Sequence, residues 1–384
     1  MRHRRVSAVL LAVLAAVLVG AQASSASRAE GHHGHHHGNR SLVFVQTNEV
    51  TGNRIAVYDR GGHGRLHRVD TVPTGGLGGV ASPGTESDHL ASQGSLVYDA
   101  EHRLLVAVNA GSDTVSAFRV RGGHLHLKSV VPSGGHFPAS VAVHGDLAYV
   151  LNSGGAGTVK GFWIGRHGLT PIPGSARSLG LANASTPDFL TAPGQVGFTP
   201  DGRKLLVTTK ASTSAIEVFA VARDGRLSQS PVVNPSATPV PFAFTFNRFG
   251  RLVVGEAGAS SVTTYRIRRD RTLVEPQSQA DGQTALCWIL RVHGVYYVSN
   301  TGSNNVSAYR VDIAGRPRLL TTTGIVATTN PGPIDLAASG SFLYVQTGTN
   351  GTVDEFSIRS DGTLESIGTV DDLPPGIEGI AATP

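Results

Sequence analysis

Two charged residues occupy positions that a repeated segment otherwise gives to asparagine. The segment Asn300–Val311 (NTGSNNVSAYRV) is nearly copied by Asn109–Val120 (NAGSDTVSAFRV), and in two weaker copies Lys210 and Glu256 replace the leading asparagine. A lysine and a glutamate at the mouth of a narrow, partly desolvated channel could pair as acid and base with shifted pKa values. A structural ion pair between neighbouring repeats is the alternative.

The repeats themselves predict the architecture. Each copy shows four short strands separated by glycine-containing turns and no helical period, and seven copies are present. The remaining copies begin at Asn48, Asn152 and Thr347. Four-stranded units arranged radially form a β-propeller, so the predicted fold class is all-β, a seven-bladed propeller. Four of the six spacings between copies lie near the usual blade length of roughly 40–50 residues.

The ring is predicted to close through the chain termini. The domain starts at 42–46 with what corresponds to the second strand of a blade, while residues 375–384 match a first strand and then stop. We therefore expect the C-terminal strand to complete the N-terminal blade, which would leave no open break in the ring.

Two longer spacings carry insertions at 71–92 and 171–192. Both connect the last strand of one blade to the first strand of the next, so they share a face with the asparagine turns. Long loops in a compact domain are often lids or binding loops, although tolerated surface insertion explains them equally well.

Candidate site residues are those that end second strands or start first strands on this loop-bearing face. Asparagines at strand ends also have a structural explanation, since their side chains cap turns. The candidates beside Lys210 and Glu256 are Asn152, Asn300, His136, Gln195, Trp288, Asp335 and Glu378, with Arg54 and Arg177 as cationic candidates. Cys287 is the only cysteine, so no internal disulfide and no cysteine-based metal site can form. Catalytic signatures such as Gly-x-Ser-x-Gly are absent, and we expect no cofactor and no resident metal.

The N-terminus reads as an export signal. Arg2, Arg4 and Arg5 precede the apolar run 9–19, which is too short to span a membrane, and cleavage is expected near Ala23 or Ala26. The predicted domains are thus a signal peptide at 1–23, a linker at 24–40 and the propeller at 41–384. Five of the 16 histidines lie in the linker segment 30–39, which either binds metal ions loosely or is simply solvated. Signal removal lowers the formal net charge from +5 to +2, so we expect neither a nucleic-acid nor an anionic-membrane role.

Three stretches carry a family resemblance: Pro193–Lys210 (PGQVGFTPDGRKLLVTTK), Pro241–Gly258 (PFAFTFNRFGRLVVGEAG) and Asn300–Ser303 (NTGS). They resemble the seven-bladed lactonase family, which includes propeller-type 6-phosphogluconolactonases and carboxymuconate cyclases, and they are similar to surface-layer propellers with Tyr-Val-Thr-Asn repeats. The resemblance implies a His, a Glu and Arg residues at the channel mouth. His136 is only an approximate counterpart of that His, because the family's Gly-Pro-Arg-His pattern is missing.

The resulting expectation is a secreted, monomeric propeller that hydrolyses or forms a lactone, or catalyses a related cycloisomerisation, on a small carboxylated molecule. Lys210 would hold a carboxylate or oxyanion, Glu256 would act as acid and base, and Gln195 and His136 would orient the substrate. The alternative is a non-catalytic extracellular or cell-surface propeller that binds a peptide, glycan or envelope component. Export argues against an intracellular phosphosugar substrate.

Overall fold

The computed structural model describes residues 40–81 and 86–384. The predicted signal peptide and all but the last residue of the predicted linker lie outside the described residues. Within the described part, seven antiparallel sheets follow one another along the chain, each built from four strand positions that we label A to D from the ring axis outward. Seven-bladed propeller architecture, predicted from the repeats, is confirmed.

The strands of the first four blades are as follows. Blade 1 contains β1 (Leu42–Gln46), β2 (Arg54–Arg60), β3 (Leu66–Pro73) and β30 (Ile380–Ala382). Blade 2 contains β4 (Leu96–Asp99), β5 (Leu104–Asn109), β6 (Thr114–Arg121) and β7 (His124–Pro132). Blade 3 contains β8 (Pro138–His144), β9 (Leu147–Asn152), β10 (Thr158–Gly165), β11 (Gly168–Pro171) and β12 (Arg177–Ser178). Blade 4 contains β13 (Gln195–Phe198), β14 (Lys204–Thr208), β15 (Ala215–Ala220) and β16 (Val232–Pro235).

The other three blades follow the same pattern. Blade 5 contains β17 (Pro241–Phe246), β18 (Leu252–Glu256), β19 (Ser261–Ile267) and β20 (Leu273–Ala280). Blade 6 contains β21 (Leu286–Val292), β22 (Val295–Asn300), β23 (Asn305–Val311), β24 (Pro317–Leu319) and β25 (Ile325–Thr328). Blade 7 contains β26 (Pro333–Ser339), β27 (Phe342–Thr347), β28 (Thr352–Ile358) and β29 (Leu364–Val370). Two short helical turns interrupt the strands, α1 (Lys210–Thr213) and a 3-10 turn (Ala110–Ser112). None of the helices described is long and apolar enough to cross a membrane.

Ring closure occurs as the sequence predicts. Strand β30 pairs antiparallel with β1, with Val43 opposite Ala382 and Val45 opposite Ile380. The Thr383 hydroxyl also accepts a hydrogen bond from the Leu42 amide at 2.8 Å. The last strand of the chain is therefore strand A of blade 1.

The hydrophobic core lies between the blades rather than within one of them. Apolar side chains of adjacent sheets interdigitate at every blade interface, including the closing interface, where Val43 and Val45 pack with Tyr344 and Ile380. Burial of this apolar surface is the main stabilising term. Each blade thus depends on its neighbours, which makes ring closure important for stability.

A tyrosine on strand B repeatedly links one blade to the next. Tyr149, Tyr297 and Tyr344 are buried, and each hydroxyl donates to a glycine carbonyl in the C–D turn of the following blade. The acceptors are Gly225 at 2.7 Å, Gly362 at 2.8 Å and Gly64 at 2.8 Å. These glycines have positive φ values, which explains the glycine at the recurring turn.

The two insertions occupy slightly different bounds from those predicted. Strand β3 continues to Pro73, so the first connection spans 74–95; β12 extends blade 3, so the second spans 179–194. Both leave strand D and enter strand A, so they lie on the face where the B–C turns are, as predicted.

We expect a chain that ends at Gly379 to be less stable by about 2–4 kcal/mol, because it loses the pairing of β30 and the burial of Ile380 and Ala381. Thermal unfolding should show a lowered Tm. A chain that lacks only the exposed Pro384 is the control. An unchanged Tm for the longer deletion would contradict closure by β30.

Candidate active site at the channel mouth

The first insertion crosses the channel mouth. Residues 86–93, which we call the plug, contact blades on several sides of the axis. The Ser92 hydroxyl donates to Ala139 O of blade 3 at 2.7 Å, and the Trp288 indole of blade 6 donates to Ser92 O at 3.0 Å. The Gln93 side chain exchanges two 3.0 Å hydrogen bonds with the main chain of Ile289. The plug therefore covers the axis on the loop-bearing face.

Lys210 lies directly beneath the plug. It follows strand β14 with a φ of 45°, in the left-handed region that non-glycine residues rarely adopt, and its side chain is only 1% exposed. Its ammonium donates to Ala91 O of the plug at 2.7 Å and to Phe189 O of the second insertion. The same ammonium lies 4.9 Å from the centre of the Phe242 ring. Lys210 thus joins both insertions to the channel wall.

Two acids and the cysteine lie near this ammonium, and a third acid, Asp335, lies near Asp88. Asp88 comes from the plug, Glu378 precedes strand β30, Asp335 lies in β26 and Cys287 lies in β21. Burial lowers the pKa of the Lys210 ammonium to about 8, although the attraction of nearby carboxylates, that of Asp88 foremost, opposes this shift. We call these five residues the channel cluster.

Asp88 and Glu378 share a hydrogen bond between their carboxyl groups. Burial raises the pKa of both, and the neighbouring Asp88 charge raises that of Glu378 further, well above its ordinary value. Lys210 and the Ala91 amide, which donates to Asp88 at 2.7 Å, favour the ionised form of Asp88. The shared hydrogen bond therefore has the protonated Glu378 carboxyl as donor and the Asp88 carboxylate as acceptor.

The remaining channel groups are also shifted by burial. The pKa of Asp335 rises to about 7, and its carboxylate accepts from the Leu336 amide at 2.9 Å. Burial raises the pKa of the Cys287 thiol to about 12, so the thiol stays protonated and is a poor nucleophile. Titratable groups with opposed shifts in one small volume are typical of acid–base sites, and also of buried ion-pair networks.

Glu256 lies outside the channel cluster. It ends β18, and its buried carboxylate accepts from the Ser236 hydroxyl at 2.8 Å and from the Tyr265 hydroxyl at 2.9 Å. Tyr265 belongs to blade 5 and Ser236 to the connection before it, so the Glu256 side chain points along its own sheet. Burial raises its pKa to about 7. The Lys210–Glu256 pair expected from the sequence is not formed.

His136 lies at a second location on the same face. Its ring is 62% exposed and contacts Asp113 at 2.9 Å. Both residues line an open cleft of about 460 Å³, together with residues of both insertions, Gly79, Ser185 and Thr186 among them. His136 is thus not positioned with Lys210, in contrast to the sequence expectation of one shared site.

The other predicted residues divide between the channel and the framework. Asp335, Glu378 and Trp288 are in or beside the channel cluster. Gln195 accepts a hydrogen bond from the Phe244 amide at 2.6 Å, which links blades 4 and 5.

The two asparagines organise their own turns. Asn300 donates to Asn305 and Ser307, and Asn152 donates to Ser133 O and Thr158. Arg177 donates to four main-chain carbonyls, Gly174, Ala176, Leu227 and Ser228, between the outer strands of blades 3 and 4. It does not reach the mouth.

Asp88 is the functional candidate that sequence reasoning missed. The insertion carrying it was recognised as a possible lid, but nothing in a loop sequence shows which of its residues crosses the axis. The sequence did contain one signal: an acidic residue in a long loop, on the same face as a lysine that ends a strand and has no assigned partner.

We expect the stability of the protein to rise relative to that of Lys210→Met between about pH 8 and pH 10.5. In this range the unfolded chain holds the Lys210 proton and the folded chain has lost it, so raising the pH favours folding. The gain is about 3 kcal/mol at most. Denaturant unfolding of both proteins across this range measures it, and parallel curves would contradict the depressed pKa.

Comparison with known proteins rests on structure. No family model matches the chain, and no curated protein matches it. The structure is similar to a candidate 6-phosphogluconolactonase from Bacteroides fragilis, with a TM-score of 0.68, 19% identity, and coverage of 90% of this chain and 98% of that one. It is also similar to the periplasmic gluconolactonase PpgL of Pseudomonas aeruginosa, with a TM-score of 0.67, 16% identity, and coverage of 90% and 99%. A Lactobacillus plantarum protein matches with a TM-score of 0.69, 18% identity, and coverage of 90% and 99%. The resemblance to propeller-type lactonases that the sequence suggests is therefore confirmed at the level of the fold.

Proposed function

We propose that the protein is a secreted lactonase-type enzyme that opens or forms a small carboxylated lactone at the channel cluster. The observation that carries this proposal is the buried Lys210 ammonium beside the proton-sharing pair of Asp88 and Glu378. A lactone hydrolase needs a hydrogen-bond donor or a cation for the oxyanion, together with groups that accept and donate a proton. The similarity to a periplasmic gluconolactonase adds support for this chemistry but does not supply the substrate.

The plug must move before a substrate can enter. In the closed state the Lys210 ammonium is occupied by Ala91 O and Phe189 O, which belong to the two insertions. A substrate carboxylate or carbonyl oxygen that displaced these acceptors would keep the ammonium satisfied in a dry site, where electrostatic attraction is strong. An anionic or strongly polarised ring ester is thus the favoured substrate class.

The roles then follow from position. Lys210 binds the carboxylate or stabilises the oxyanion. Asp88, the unprotonated member of the pair, takes the proton of the attacking water, and Glu378 gives its proton to the leaving ring oxygen. Asp88 arrives with the plug and completes the carboxyl pair on closure. The reverse sequence closes a lactone, and the same acid–base pair would serve a cycloisomerisation. Glu256 and His136, which the sequence analysis favoured, have no part in these steps.

We expect Lys210→Met and Glu378→Gln to lower kcat/KM on an accepted lactone by about 100-fold or more, the usual size of acid–base and oxyanion effects. Glu217→Gln is the matched control, because Glu217 is also a buried acid with a pKa raised to about 7. Initial rates on a panel of γ- and δ-lactones with and without a free carboxylate measure this. Variants that keep full activity would contradict the assignment.

The charge on Lys210 predicts a pH dependence. Because its pKa is lowered to about 8, kcat/KM should fall as pH rises through about 8, where the ammonium loses its proton. Lys210→Arg, if active, should keep its rate to higher pH, since guanidinium stays charged. A profile that is flat from pH 7 to pH 10 would show that the ammonium is not required.

A non-catalytic propeller is the second candidate. It is favoured by the closed mouth, where main-chain carbonyls already satisfy Lys210. In that case the cleft beside His136 and Asp113, which is open, would bind an envelope component. Two results together would support this interpretation: no turnover of any lactone, and binding of the protein to an envelope fraction that Asp113→Asn weakens.

The proposed export rests on the predicted signal peptide. Sequencing the N-terminus of protein recovered outside the cytoplasm tests it.

A further inference from the structure

The face opposite the channel cluster carries two protruding apolar side chains. Ile313 is 93% exposed and Phe249 is 68% exposed, the highest values among the large apolar side chains that the structure describes. Ile313 lies in the C–D turn of blade 6 and Phe249 in the A–B turn of blade 5. Both line one groove of about 250 Å³. Two such residues on adjacent turns of one face call for an explanation beyond folding.

Both turns are built to hold these side chains outward. The Asn247 side chain accepts from the Phe249 and Arg251 amides, each at 2.9 Å. The Asp312 side chain accepts from the Arg316 amide at 2.9 Å. Gly250 and Gly315 supply the positive φ that the turns need. The two exposed side chains thus lie on turns whose backbone is held by hydrogen bonds.

Arginines surround the two tips. The segment 247–318 contains ten arginines, no lysine and five acids, whereas the rest of 40–384 has 18 basic and 21 acidic residues. Two of the five acids, Glu256 and Asp281, are buried near the loop-bearing face. The arginines lie on or beside the turns of the opposite face: Arg248, Arg251, Arg266, Arg268, Arg269, Arg271, Arg291, Arg310, Arg316 and Arg318. Of the acids in this segment, Asp270, Glu275 and Asp312 remain on the opposite face, and Asp361 of blade 7 lies next to Arg310.

Some of these cations are paired and others are available. Arg251 and Arg266 contact Glu275, and Arg316 contacts Asp312. Within the described residues, Arg268 and Arg269 form no ion pair, and both are exposed. The Arg248 guanidinium lies 4.5 Å from the centre of the Phe249 ring, which places a cation next to an apolar tip. Guanidinium groups bind phosphate oxygens in bidentate geometry.

We propose that this face docks on an anionic phospholipid surface, with Phe249 and Ile313 inserted at the interface and the arginines bound to lipid phosphates. A soluble polyanion would use the arginines but give the two apolar tips no role. The combination of protruding apolar residues and a cationic surround is what interfacial binding requires. The low net charge predicted for the exported chain gives no indication of this patch, because the excess of arginine is confined to two blades and the rest of the domain is slightly acidic.

The docking surface is separate from the proposed lactonase site. The channel cluster and its plug lie on the loop-bearing face, so a protein docked by the opposite face would keep the plug exposed to solution. Failure of docking would therefore leave the proposed activity untouched, and the converse also holds.

Cosedimentation with phosphatidylglycerol–phosphatidylcholine vesicles tests this proposal. The chain should begin at Ser24, so that the apolar run 9–19 cannot bind lipid itself. We expect binding to anionic vesicles, weak binding to pure phosphatidylcholine, and loss of binding at high salt. The double variant Phe249→Ser/Ile313→Ser and the double variant Arg268→Gln/Arg269→Gln should each weaken binding about tenfold.

Matched controls use exposed residues elsewhere. Val50→Ser/Val233→Ser removes two exposed apolar side chains, and Arg54→Gln removes an exposed arginine of blade 1 on the loop-bearing face. Both controls should bind like the parent, and Phe249→Trp should show a blue-shifted emission on vesicles. Absence of binding at low salt would overturn the proposal. Equal binding of inorganic polyphosphate, with no effect of the tip variant on vesicle binding, would overturn it in favour of a general polyanion site.

Discussion

Burial of the Lys210 ammonium is the constraint on which the loop-bearing face depends. A cation removed from water must be surrounded by acceptors, or it is too costly to keep charged. Here the acceptors come from two insertions that are far apart in sequence, Ala91 and Phe189, and the counter-charge comes from Asp88. One side chain therefore links both loops over the channel, in addition to the hydrogen bonds of Ser92 and Gln93 that hold the plug against the blades.

The same constraint links structure to chemistry. A buried cation next to a carboxyl pair that holds one proton provides the two elements needed to open a ring ester, an electrophilic contact and a proton carrier. The acceptors that satisfy Lys210 are main-chain carbonyls on loops, and loops can move more easily than sheets. An incoming anion could replace these carbonyls as the acceptor of the Lys210 hydrogen bonds. The contacts that close the site would then be the ones that an anionic substrate breaks.

The fold could be predicted from the sequence more completely than the site. Seven copies of one turn and strand pattern, and a terminal strand without partners, determine a closed propeller, because each blade buries its faces only against its neighbours. Lys210 could be identified because it interrupts the asparagine pattern. Its partners could not: Glu256 ends the equivalent strand, but its side chain is drawn to Tyr265 and Ser236. Asp88 and Glu378 reach the channel through a long loop and the chain terminus, whose paths local pattern does not specify. The arginine-rich face was likewise hidden, since net charge averages over opposite faces.

The burial of the Lys210 ammonium can be tested by measuring its pKa. The chain has only four lysines, Lys128, Lys160, Lys204 and Lys210, so a titration of selectively labelled lysine side-chain carbons by NMR gives four resolvable curves, which Lys210→Met assigns. If the ammonium is buried as described, the Lys210 signal titrates near pH 8 in the native protein. A midpoint at or above the ordinary value of 10.5 would show that burial does not disfavour the charged ammonium, and would contradict this prediction.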